Sequence, residues 1–153
     1  MKRQDIYGRE KDVNMGTIIR PELSAKNKYW IDKHRYYELK HFCLQYPSWK
    51  KTYLALDGLS KRPSELSTFT NTNSSSDPTA QCAIAKSFYS NRIEMVERAA
   101  KQTDPELASY ILKAVTEGIS YNNLHTILNI PCSKDTYYDR YRRFFWILNK
   151  ERQ

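Results

Sequence analysis

A short stretch near the C-terminal end gathers side chains suited to reading a polyanion: Lys134, Asp135, Thr136, Tyr138, Asp139, Arg140, Arg142 and Arg143. An arginine can bridge O6 and N7 of a guanine, and an aspartate can accept from a cytosine amino group. Further basic residues neutralise phosphates. The spacing suits one helix. At 100° per residue Asp135, Asp139, Arg142 and Trp146 share a face flanked by Tyr138 and Arg143, while Tyr137, Tyr141, Phe144 and Leu148 form the opposite, apolar stripe. The expected chemistry is recognition of duplex DNA. Lys134, Asp135, Tyr138, Asp139 and Arg142 lie close enough to the helix start to meet DNA, and Arg140 and Arg143 project sideways toward phosphates. Trp146, beyond them, reads as packing on another part of the same chain, with a second copy or RNA polymerase as the alternative contact.

Such a helix needs a partner to seat it. Gly118 ends the preceding helix, and Ser120 can cap a short one over 121–128 with Leu124, Ile127 and Leu128 on one side. Asn129 tolerates the positive φ of a tight turn, Ile130 plugs that turn into the core, and Ser133 caps the long last helix, which reaches about residue 150. Two helices, a tight turn and a longer basic second helix describe a helix-turn-helix over 120–152. Ser120, Tyr121 and Asn122 start its first helix, where free N–H groups favour a phosphate.

Composition agrees with a polyanion partner. The 153 residues carry a net charge of +8. Apolar residues make up 40% of the chain, with 12 Tyr, 5 Phe and 3 Trp among its aromatics, enough for a core. No apolar run is long enough to span a bilayer, and the charged N-terminus does not resemble a secretory leader, so a cytoplasmic protein is expected. Cys43, Cys82 and Cys132 are scattered and odd in number, which predicts free thiols, not a disulfide framework or a zinc site. His34, His41 and His125 lack the spacing of metal ligands, and there is no Gly-rich phosphate loop and no nucleophile motif. Tyr138 beside Arg140 and Arg142 loosely suggests a DNA-cleaving tyrosine, but the strands of such enzymes are missing. No enzyme activity, metal or cofactor is expected.

The rest of the chain reads as all-α. Residues 1–63 form a basic arm (Lys2, Arg3, Arg9, Lys11) and a helical hairpin. Its first helix, capped by Ser24, turns Tyr29, Trp30, Lys33, Tyr37 and Phe42 to one side; Pro47 starts the second, with Trp49, Tyr53, Leu54 and Leu56 inward, and Gly58 ends it. A Ser/Thr/Asn-rich linker covers 64–76. The helical domain 77–153 opens at Asp77-Pro78, with Cys82, Ala85, Tyr89, Val96 and Ala99 inward. Asp104-Pro105 repeats the start signal before Leu107, Ile111, Leu112 and Val115.

These features together resemble the RinA/ArpU-type phage transcriptional regulators. The likeness spans about residues 28 to 150 and rests on the Tyr46-Pro47-Ser48-Trp49 turn, the polar gap, the Ser75-to-Thr79 start, Tyr89, the run Arg92-Ile93-Glu94-Met95-Val96-Glu97 and the closing helix-turn-helix. It implies a sequence-specific double-stranded DNA-binding regulator that activates late phage genes in the cytoplasm of a Gram-positive bacterial host; host RNA polymerase and a second copy of the chain are candidate partners beside the DNA. Its motif is similar to the part of sigma factors that reads the −35 element, which makes 133–143 the reading segment. The chain departs from that pattern at His125, where a small residue is usual, at Asn129, where glycine is usual, and in a longer turn over 130–133. Two alternatives remain: a DNA-packaging protein of the small-terminase kind, whose motif is normally N-terminal, and a protein-interaction module with no DNA role.

Overall fold

The computed structural model describes residues 26–60 and 77–153. The basic arm, the Ser24 cap and the 64–76 linker lie outside the described residues. Within them the fold is all-α. Six helices follow one another: α1 (Lys33–Leu44), α2 (Tyr46–Ser60), α3 (Pro78–Thr103), α4 (Ala108–Glu117), α5 (Tyr121–Leu128) and α6 (Lys134–Glu151).

Most starts and stops follow side-chain chemistry. Asp77, Ser120 and Ser133 each accept from a backbone N–H of the following turn and so cap α3, α5 and α6, and Pro78 sits in the first turn of α3. Gly118 and Asn129 end α4 and α5 in the left-handed conformation, at φ 69° and 50°. Two expectations in the N-terminal half need correction. The first helix starts at Asp32, whose carboxylate accepts from the N–H of His34 and Arg35, because residues 27–30 form a turn closed by Asn27. Gly58 does not end α2, which runs on to Ser60; an exposed glycine keeps helical angles at a cost of about 1 kcal/mol.

Helices from both parts of the sequence share one core. Tyr36 and Leu39 of α1, Val96 of α3, Ile111 of α4, Leu124 of α5 and Phe144, Phe145 and Leu148 of α6 are all fully buried. α2 lies along α3, while α1 packs on α4 and α6, and α3 on α6. The Tyr36 and Phe145 rings meet edge-on at 5.0 Å, and Phe42 and Trp49 at 4.7 Å. A polar strap closes the same seam: Arg35 donates to Asn149 at 2.7 Å and to the Arg152 carbonyl, and Arg152 pairs with Glu38 at 3.1 Å.

The inward faces differ from the periodicity in places. In α1 Tyr36, Leu39, Phe42 and Cys43 point inward, and Tyr37 lies at the margin. Leu54 of α2 and Ile127 of α5 are 68% and 71% exposed, although the pattern turns both inward. α5 has eight residues and buries only Leu124, too short a contact to cover its second apolar side chain. α6 buries more than expected, adding Phe145 and Ile147 to Tyr137, Phe144 and Leu148, because α1 and α3 grip it from two sides.

A shared core implies shared unfolding. Leu39→Ala, in α1, is expected to cost about 2–5 kcal/mol. The loss should appear as one coincident transition by far-ultraviolet circular dichroism and tryptophan fluorescence. Melting of α1 alone, with the C-terminal helices unchanged, contradicts this.

Candidate nucleic-acid interface

The turn between α5 and α6 is closed from four directions. The Asn129 N–H and the Ile130 N–H both reach back to the Leu124 carbonyl, the latter at 3.2 Å, and Ile130 is buried beneath them. The Tyr121 hydroxyl donates to the Cys132 carbonyl at 2.8 Å, so the start of α5 is stapled to the residue before the α6 cap. Ser133 Oγ then accepts from the Thr136 N–H at 3.2 Å and pairs with the Thr136 hydroxyl at 2.9 Å. These bonds fix where α6 begins. Ser133, Lys134, Asp135 and Thr136 are exposed there, as is Asn122 in the first turn of α5, while Ser120 and Tyr121 are half-buried.

The sequence-predicted residues separate into two sets. Lys134 and Asp135 stand in solvent on the first turn, with the Lys134 ammonium 5.9 Å from the Tyr138 ring centre. Arg142 and Arg143 are half-exposed and form no ion pair among the described residues. The second set is occupied. Arg140 donates to Asp104 at 2.9 Å and to Asp139 at 2.8 Å, so its guanidinium does not project freely sideways and Asp139 is already paired. Tyr138 is not presented outward as expected: its ring leans on Tyr121 and Tyr137, and its hydroxyl is buried without a hydrogen-bond partner among the described residues. The adjacent rings of Tyr121 and Tyr137, 5.4 Å apart, draw it inward. Trp146 packs on its own chain. Tyr29 meets it edge-on at 5.6 Å and the Lys150 ammonium covers it at 3.5 Å. Among the described residues the outward face of α6 is covered at Trp146 and open from Lys134 to about Arg143.

Asp104 was legible only as a helix start. Its Oδ1 accepts from the N–H groups of Glu106 and Leu107, and its Oδ2 takes Arg140 of α6. α4 itself begins only at Ala108, after a turn over 105–107. Burial alone raises the pKa of Asp104; the Arg140 guanidinium and the two backbone N–H groups outweigh it and hold the carboxyl below its ordinary value. An Asp-Pro pair accounts for its aspartate locally, so nothing in the sequence pointed to a second partner 36 residues away. His125 and Thr126, also exposed on α5, were missed as surface neighbours of the motif. Among the described residues no group of three His, Cys, Asp or Glu is gathered as a metal site needs, and no helix is long and apolar enough to cross a membrane.

No protein-family model, curated protein or solved structure significantly matches the chain.

A depressed carboxyl contributes stability that is present above its unfolded-state pKa, about 4, and lost as pH falls through the lower folded value. Asp104→Asn keeps the turn-capping oxygen and removes the charge. It is expected to cost about 1 kcal/mol at neutral pH and to flatten the acid limb of stability against pH below about 4. Denaturant midpoints measured across that range check both; an unchanged acid limb removes Asp104 as a strut of α6.

Proposed function

We propose that this chain is a sequence-specific double-stranded DNA-binding transcriptional regulator of the RinA/ArpU type, phage- or prophage-encoded, acting on late genes. In this reading α6 is its recognition helix. The observation that carries it is the first turn of α6: fixed by the Ser133 cap and the Tyr121 staple, it puts Lys134 and Asp135 in solvent, and about two turns along the same helix Arg142 and Arg143 form no ion pair among the described residues. A helix entering the major groove uses its N-terminal turns and outward face in this way. Arg142 and Asp135 share that face and are assigned to base edges, and Lys134 and Arg143 on its flanks to phosphates. Ser120 and Asn122, at the N-terminus of α5, are assigned to a neighbouring phosphate. Arg140, Asp139, Tyr121 and Tyr138 become positioning residues that hold α6 at its angle. The charge of +8 supplies the non-specific attraction that precedes reading. Host RNA polymerase as a partner and a cytoplasmic site of action follow from the regulator reading.

The test is fluorescence anisotropy of the full chain with duplexes from its neighbouring genomic DNA and with random duplexes, at several salt concentrations. One duplex is expected to bind at least about a thousandfold more tightly than random DNA. Arg142→Ala should cost about 1–3 kcal/mol on that duplex and little on random DNA. Lys134→Ala should weaken both and lower the salt slope by about one. Uniform weak binding that ignores both substitutions sinks the proposal.

A further inference from the structure

Outside this site, among the described residues, two exposed apolar side chains share one side of the N-terminal half of α3. Ile84 is 70% exposed and Phe88 47%, and the helix shows solvent on the same side at Gln81 and Asn91. The spacing 81, 84, 88, 91 alternates three and four residues, the repeat of a coiled-coil seam, with an asparagine at one seam position. The opposite side of the same turns faces α2: Lys86 pairs with Asp57 at 2.8 Å, and Cys82 Sγ lies 3.8 Å from the Leu56 carbonyl. α6 meets α3 farther along, through Arg98 and Glu151 at 3.3 Å and Asp104 and Arg140.

Charge decides the occupant. Between Asp77 and Arg92 the only charged residue is Lys86, on the α2 side. In a chain of charge +8 this stripe is neutral and carries opposite charges at its two ends. We infer that it is the contact for a second copy of this chain, with the two α3 helices antiparallel. About a two-fold axis between Ile84 and Phe88, Ile84 of one copy meets Phe88 of the other, and Gln81 meets Asn91 across complementary amides. Arg92 falls opposite Ala80, about one turn of helix from Asp77 of the second copy and within reach of its long side chain. Ala85 and Ser87 flank the axis and let the backbones approach. Between Asp77 and Arg92 no like charges face each other along the seam, whereas a parallel pairing aligns Arg92 with Arg92 and Asp77 with Asp77. Arg92 now lies over the Phe88 ring at 3.4 Å and swings aside or stays stacked at the margin. The seam is roughly 22 Å long, so it buries less than a standard interface, and the dimer is weak, in the micromolar range. The inference does not depend on the DNA-binding reading.

Sedimentation equilibrium of the full chain at micromolar concentration, without DNA, tests it. The wild type is expected to be in monomer–dimer equilibrium, and Ile84→Lys and Phe88→Lys should each weaken the dimer at least roughly tenfold, with the helical circular dichroism and melting temperature unchanged. Ser87→Cys should cross-link into a dimer on mild oxidation, above the background of the native thiols. A monomeric wild type at high micromolar concentration overturns the inference, as does a dimer indifferent to both lysines. So does a lysine variant that loses thermal stability, because the stripe is then covered within one chain. Dimerisation abolished by the lysines but without the Ser87→Cys cross-link overturns the antiparallel register.

Discussion

The Tyr36 and Tyr141 hydroxyls lie 2.9 Å apart between α1 and α6, and much of the structure follows from them. A phenol taken into an apolar core without a partner costs about 1–3 kcal/mol. Two phenols facing each other remove that cost together. The pair therefore sets the rotation of α1 about its axis: Tyr36, not Tyr37, turns inward, and Leu39, Phe42 and Cys43 follow at helical spacing. Burial, with Tyr36 close by, pushes the Tyr141 phenol well above its ordinary pKa, so it remains a neutral donor or acceptor throughout the physiological range. The pair also joins parts of the chain 105 residues apart, and α1 thereby becomes part of what seats α6.

α6 has two duties, divided by face. Tyr137, Tyr141, Phe144 and Leu148 insert into the core, and Asp135 and Arg142 lie on the other side. A surface carried on a core helix inherits the rigidity of the core, an advantage where side chains must reach fixed positions. The same arrangement explains why part of the charged set is spent internally. Arg140 ties α6 to the end of α3 through Asp104, and residue 29 covers the outward face at Trp146. What remains available is short and lies at the capped end.

The abundance of aromatics has a packing logic. Tyrosines line the contacts between helices at Tyr36, Tyr121, Tyr137 and Tyr141, and the ring pairs are edge-on or tilted, at centroid separations of 4.9 to 6.0 Å. Each supplies large apolar area, and three of the four polar tips have partners, Tyr121 at the Cys132 carbonyl and Tyr36 and Tyr141 with each other. The Tyr138 hydroxyl is enclosed with no hydrogen-bond partner among the described residues.

The local grammar of the chain was written in its residues. Asp77-Pro78, Gly118, Ser120, Asn129, Ile130 and Ser133 mark helix ends by capping bonds or permitted φ values that act within a few residues, so the C-terminal boundaries and the all-α class were legible without a fold. The apolar stripe of α6 was equally clear. Periodicity did not reveal which tyrosine of an adjacent pair faces inward, because Tyr36 and Tyr37 are identical until α6 offers one of them a hydroxyl. Nor did it reveal that Ile127 and Leu54 stay exposed, since burial depends on what lies opposite. The fates of Arg140 and Tyr138 were also tertiary decisions. A charge or a phenol on a helix face is free or engaged according to partners brought from elsewhere, here Asp104 from the end of α3 and the ring of Tyr121 from α5. Short-range hydrogen bonding is encoded within a few residues; the use of each face is set by packing between segments that the sequence keeps far apart.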